Sequence, residues 1–438
     1  MTFIRNQNIK SFYYFIFFVF FITTPIISFI FKINLSNIFG PKILNDYLLL
    51  YDIEAKNGGV VSDLRVHWEY IKLLRDNFFN LIKLTLGVDV TLINYPLHHI
   101  IFSQIPFAKK LENYLVIFFI LSFILPILVY KILDNRFRNL KKINLIILSL
   151  VILIFPSFQY SAIWGNNHIT ALIFFSLGIF YLNNFRIEKS NFTLIKCLIF
   201  FSLACYTKQF YVFIFIYLLV YMYKVLPLNT FIKISIFLLI LGFPGLLFTV
   251  KNPLLLFGLA QQTTNFTSSI LISGSIMFFY LIPFIIQYFL NHDEKPVIKL
   301  KDYFLNKNFV ITIIFVFCLA INFEYNSSVG GGIFLKISNF FFNNNIILFI
   351  AAVFGIYFLF YFSEKGLENK VLTILLLVTF GSGIFIFQKY FEPMFFIIFL
   401  SLFDKKKIEL LLGKNNFISS FYFLSYFCAI NYIYFFGL

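Results

Sequence analysis

Long apolar runs, recurring from Ser11 to the last residues of the chain, constrain the fold more than any other feature of this sequence. A helix needs about 20 apolar residues to cross the ~30 Å hydrocarbon core of a bilayer, where each backbone polar group must be satisfied within its own element. Repeated runs of this kind predict an all-α, polytopic transmembrane helical bundle. Charge agrees: 12% of the 438 residues are charged and 60% are hydrophobic, against about 25% charged in soluble domains. No polar stretch is long enough for a second domain and no internal repeat is visible, so residues 1–438 read as one integral membrane domain. The 68 Phe, with abundant Ile, Asn and Lys, point to AT-rich coding rather than to chemistry.

The first span is read from Ser11 to Phe31, behind Arg5 and Lys10. It is too long for a signal-peptide core and has no small-residue cleavage site. Later spans begin near Leu115, Ile143, Ile169, Leu194, Phe210, Ile234, Ile270, Phe309, Ile346, Val371, Met394 and Phe417, which gives about thirteen. The stretch Thr91 to Phe107 is interrupted by Asn94, Pro96, His98, His99 and Gln104, and reads as re-entrant or interfacial. Cys197, Cys205, Cys318 and Cys428 lie within apolar runs without metal-site or disulfide spacing, and read as small core residues.

Orientation follows from basic residues in short loops. With the N-terminus inside, alternate loops hold Lys131, Arg136, Arg138, Lys141 and Lys142, then Arg186, Lys189 and Lys196, then Lys224 and Lys233. The series continues with Lys295, Lys299, Lys301 and Lys307, with Lys365 and Lys370, and with Lys405, Lys406, Lys407 and Lys414. The intervening short loops hold only Lys208, Lys251, Lys336 and Lys389, so the alternation explains most basic residues outside the long first loop, which the rule largely exempts; Lys109 and Lys110 run against it. Membrane lipids thus account for the net charge of +16, and no nucleic-acid partner is expected. The expected location is the bacterial inner (plasma) membrane.

This orientation gathers the unusual polar residues outside. The first external loop, residues 34–110, carries Asp46, Asp52, Glu54, Asp63, Arg65, His67, Trp68, Glu69, Asp76 and Asp89 and is expected to contain short interfacial helices. Shorter external segments add QYSAIWGNNH (Gln159 to His168), Lys208 with Gln209, the Gly330-Gly331-Gly332 turn and QKYFEP (Gln388 to Pro393). Within the first loop, Ser62 reads as an N-cap and Asp63 as a first-turn carboxylate favoured by the helix dipole. Ile71, Leu73 and Leu74 would form the apolar face of a helix lying on the membrane. Asp63 and His67, four residues apart, share a face. Without a chemical role, Asp63 is a capping residue and His98 and His99 are interfacial polar groups.

The order SDLRVHWEYIKLL followed by INYPLHHII resembles the GT-C superfamily of membrane glycosyltransferases. Within it the chain is most similar to the alpha-1,2-glucosyltransferases that complete the lipid-linked oligosaccharide, whose loop reads DEIFH where this one has DLRVH. SAIWGNNHITALIFFSLGIFYL, SLACYTKQFYVF and QKYFEPMFFIIF are similar to further segments of that group. The resemblance covers most of the chain. It departs where many members have a second adjacent acid, since Leu64 stands there.

The resemblance implies transfer of a sugar from a polyprenyl-phosphate-linked donor to a glycan or lipid-linked acceptor on the external face, with Asp63 as catalytic residue. Its substrate-binding residues would be Arg65, His67, His98, His99, Lys208, Gln209, Lys389 and Tyr390. The chemistry needs a carboxylate to take the acceptor proton and a cation for the leaving phosphate. If a divalent cation such as Mg2+ or Mn2+ takes part, Asp52, Glu54 and Asp63 are its expected ligands. A polysaccharide polymerase or ligase would share the loop and the donor. A lipid-linked oligosaccharide flippase or transporter is the non-enzyme alternative, but transporters of charged substrates place ionisable groups mid-span, where this chain has few.

Overall fold

The computed structural model describes residues 13–30, 60–81, 95–251, 266–291, 306–325, 330–379, 386–413 and 417–436. Asp52, Glu54 and the loop from Lys295 to Lys301 lie outside the described residues. All regular structure among the described residues is helical. In chain order it runs α1 (Tyr13–Ile30), α2 (Val60–Asp76), α3 (Leu97–Ser103), α4 (Leu111–Ser122), α5 (Ile124–Arg136), α6 (Lys142–Leu150), α7 (Pro156–Ile163), α8 (His168–Glu188) and α9 (Asn191–Cys205). It continues with α10 (Phe213–Val225), α11 (Leu228–Lys251), α12 (Phe266–Asn291), α13 (Lys307–Ala320), α14 (Gly332–Phe342), α15 (Ile346–Phe362), α16 (Leu367–Val378), α17 (Met394–Leu402), α18 (Lys405–Gly413) and α19 (Phe417–Phe436). Packing divides the chain into two compact units, one of residues 1–90, 94–208 and 420–438, the other of residues 91–93 and 209–419.

Among the described residues, five segments are long and apolar enough to cross a membrane: Tyr13–Ile30, Leu111–Arg136, His168–Glu188, Leu228–Val250 and Phe266–Leu290. The count is six if Lys142–Ile154 and Pro156–Ile163, bent by 63° at their junction, form one span. Shorter apolar helices, among them Asn191–Cys205, Lys307–Ala320 and Ile346–Phe362, occupy stretches where further spans are expected. Along α11 the side chains of Ile232, Ile236, Leu239, Ile240, Phe243, Leu246, Leu247 and Val250 are all exposed. A continuous apolar face of that length is suited to acyl chains and not to water.

Prolines decide where the helices of the first unit break. The segment Leu111–Arg136 is divided at Phe123, three residues before Pro126, whose ring occupies the space of the carbonyl four residues back. There the Phe123 N–H donates to Ile120 O and Leu121 O, a tightened turn. A second break falls at Phe155, held extended at φ −62° and ψ 128° because the residue before a proline is excluded from the helical region. Pro156 then opens α7 at its first position, where a missing N–H costs nothing. Phe155 is secured by ring contacts to Phe423 and Phe427 of α19, at 5.7 and 4.7 Å between centroids.

Close helix packing depends on small residues, as membrane interfaces generally do. In the first unit a Cβ at Gly178 on α8 would lie 2.7 Å from the Phe201 ring of α9. In the second unit α12 and α15 approach until a Cβ on Gly355 would sit 1.9 Å from the carbonyl oxygen of Gly274.

Candidate active site

Helix α2 carries Asp63, the candidate acid of the loop expected outside. It begins at Val60, so Ser62, expected as its N-cap, lies inside the first turn, and Asp63 occupies that turn as well. The positive end of the helix dipole favours a carboxylate there. Leu64, His67, Ile71 and Leu74 are buried, a stripe at helical spacing. The apolar face expected to lie on the bilayer is therefore packed within the protein, and α2 rests on α3. Arg75 fixes the far end by donating to the carbonyls of Phe102 at 3.1 Å and Ser103 at 3.4 Å, the last carbonyls of a helix that nothing within it satisfies. Asp63 sits at the edge of the buried stripe, half-exposed, and Arg65 points to the exposed side.

The break at Phe155 brings α7 to Asp63. Tyr160 on α7 donates its hydroxyl to Asp63 Oδ2 at 2.6 Å. The following turn passes through Gly165 at φ +63°, where a side chain would be strained and would also collide with Tyr114, 2.6 Å from an added Cβ. Asn166 comes next. Its Oδ1 accepts from the His168 N–H at 3.1 Å at the start of α8, which leaves its amide Nδ2 to donate to the same Asp63 Oδ2 at 3.3 Å. Among the described residues Asp63 Oδ1 has no hydrogen bond.

Behind Asp63 lies a wall of buried histidines. His67 Nδ1 is 2.9 Å from His99 Nε2. Tyr114 donates to Gly165 O at 2.5 Å, so its oxygen accepts from His98 Nε2 at 3.0 Å. His98 is thereby held as the Nε2–H tautomer, and its Nδ1 accepts from Thr170 Oγ1 at 2.9 Å. His98 and His99 are fully buried, and among the described residues His99 Nδ1 has no hydrogen-bond partner. Lys208 follows the end of α9, its N–H donating to Ala204 O at 2.9 Å, and its charge reaches all three rings. Burial first, and then Lys208, lowers His67 to about 3. His98 is pushed well below its usual range by burial, then by His99, His67 and Lys208, and His99 by burial, then by His67 and Lys208.

Neutral buried imidazoles make stability depend on pH in one direction. Above about pH 6.5 neither the folded nor the unfolded chain binds a proton at these rings. Below it the unfolded chain takes up protons that the folded chain excludes, which costs up to ~1.4 kcal/mol per pH unit for each ring kept neutral. For His67 this window runs down to about 3. The melting temperature of the purified protein is expected to fall between about pH 7 and about pH 5, and to fall less in His67→Gln. Equal slopes for the two proteins would mean that the fold does not hold His67 neutral.

The structure thus brings together Asp63, His67, His98, His99 and Lys208, and adds Tyr160, Asn166, Tyr114 and Thr170, which the sequence reading leaves without a role. Arg65 stays on the exposed side of α2, and the remaining expected contacts belong to the second unit. Gln209 opens a 3-10 turn, Gln209–Val212, whose Phe210 ring lies 6.5 Å from that of Tyr390. Lys389 Nζ stands 5.1 Å over the Phe387 ring. Near them Glu392 is buried and accepts from the Tyr280 hydroxyl, an acid the sequence reading passes over as part of an aromatic-Pro segment. Among the described residues no three His, Cys, Asp or Glu side chains are grouped as a cation site; of the expected ligands Asp52, Glu54 and Asp63, only Asp63 lies within them. No protein-family model, curated protein or solved structure matches the chain.

Proposed function

We propose that the chain is a membrane glycosyltransferase of GT-C type, with about thirteen spans, that moves a sugar from a polyprenyl-phosphate donor to a glycan or lipid-linked acceptor on the external face. The observation that carries this reading is the Asp63 carboxylate. It is half-exposed, one oxygen is held by Tyr160 and Asn166, and the other has no hydrogen bond among the described residues. An open carboxylate oxygen at the surface of a rigid wall suits a general base. The acceptor hydroxyl gives its proton to Oδ1 as its oxygen bonds to the anomeric carbon. The bond from that carbon to the phosphate oxygen breaks, and the lipid phosphate leaves with the electron pair. Lys208 supplies the positive charge on that side of the wall, with Arg65 on the exposed face of α2. His67, His98 and His99 brace the wall, since burial and their hydrogen bonds keep them neutral.

The reading requires α2 outside and the basic loops inside, which cysteine labelling tests. In a variant lacking the four native cysteines, single cysteines at the exposed positions Asn77, Asn139 and Asn306 are introduced one at a time. On cells whose outer barrier is opened, a membrane-impermeant thiol reagent should modify the cysteine at 77 and leave those at 139 and 306 unreacted. The reverse pattern would place Asp63 in the cytoplasm and remove the proposal.

A further inference from the structure

We propose that Tyr160 and Asn166 are positioning residues that assign the two oxygens of Asp63 different work, Oδ2 as the anchored atom and Oδ1 as the proton acceptor. This rests on the reading of Asp63 as the base. Both donors converge on Oδ2, at 2.6 and 3.3 Å, although Oδ1 has no hydrogen bond among the described residues. A half-exposed carboxylate can be satisfied by water, so its burial does not by itself require two protein donors on one atom. What they add is direction. The terminal torsion of an aspartate is broad and nearly two-fold, and an unanchored carboxylate would exchange its oxygens and swing out of line with the acceptor hydroxyl.

The donors are themselves rigid. Tyr160 lies on the helix that Pro156 sets off at 63° from the preceding one, and Asn166 is fixed by the bond from the His168 N–H. Asn166 is also buried, unlike the carboxylate it serves. The carboxylate that would do chemistry and the Tyr160 ring are both half-exposed, while Asn166 anchors that carboxylate from the buried side.

Transfer kinetics of the full-length protein in nanodiscs, with a polyprenyl-phosphate sugar as donor, test the assignment. Tyr160→Phe should lower kcat about 10- to 100-fold, the scale of a misaligned reacting group, while KM for donor and acceptor stays within about twofold. Asn166→Ser should act in the same direction but less, in line with its longer bond. Adding Tyr160→Phe to Asp63→Asn should cost nothing further, because positioning has no value without the base. Wild-type kcat in Tyr160→Phe and Asn166→Ser, or a rise in KM with kcat kept, would overturn the positioning role. If Asp63→Asn is inactive at the same time, the base assignment survives that result. Activity in Asp63→Asn itself would remove the base and the positioning role together. Should Tyr160→Phe fail to fold, the Asn166→Ser pair of kcat and KM decides alone.

Discussion

Asp63→Asn should abolish transfer, by about 10²- to 10⁴-fold as expected for loss of a general base, while expression and membrane insertion stay intact. The amide has the shape of the carboxylate. Its oxygen will turn toward the donors Tyr160 and Asn166, because both need an acceptor there. Its NH2 group then occupies the open position, where it has no lone pair for a proton. The helix start loses a charge favoured by the dipole, worth only ~0.3–1 kcal/mol at an exposed terminus. A folded but inactive protein is therefore expected, assayed by sugar transfer beside blotting of the membrane fraction. Asp52→Asn should be milder. Near-wild-type transfer by Asp63→Asn would make Asp63 a helix-start residue and nothing more.

The apolar class was legible because length and apolarity act locally: the runs beginning near Ser11, Ile169, Ile234 and Ile270 correspond to helices long and apolar enough to cross a membrane. So was α2, read from Ser62, Asp63 and an apolar face of Ile71, Leu73 and Leu74, although the buried stripe runs through Leu64, His67, Ile71 and Leu74. The spacing did not reveal that this face meets protein and not lipid, since both partners are apolar. The number of full-length spans was less legible. Breaks at Phe123 and Phe155 come from single prolines inside apolar runs, and hydropathy passes over them.

At the site, the placing of Asp63 and His67 on one helix could be read from their spacing, and His98 and His99 from the polar segment that follows. Tyr160 and Asn166 could not: they lie 97 and 103 residues from Asp63 and reach it only because the chain bends at Pro156. The signal available was the polar segment QYSAIWGNNH between two apolar runs, which marks a place where side chains need polar partners without naming them. Glu392 was hidden for the same reason, with its partner Tyr280 112 residues away.

The choice of donor is the central claim, and its expected effect is all or none. Nucleotide sugars are cytoplasmic, and this chain shows no Gly-rich phosphate loop of the kind that holds one. An external Asp63 needs a sugar already carried across the membrane, with its phosphate at headgroup depth. Lys208 stands at the end of α9, where its charge is felt by the histidine wall beneath Asp63. Purified protein in nanodiscs, supplied with acceptor and either a polyprenyl-phosphate sugar or the matching nucleotide sugar, should form product with the lipid-linked donor and none with the nucleotide. Turnover with the nucleotide sugar and none with the lipid form would contradict the account.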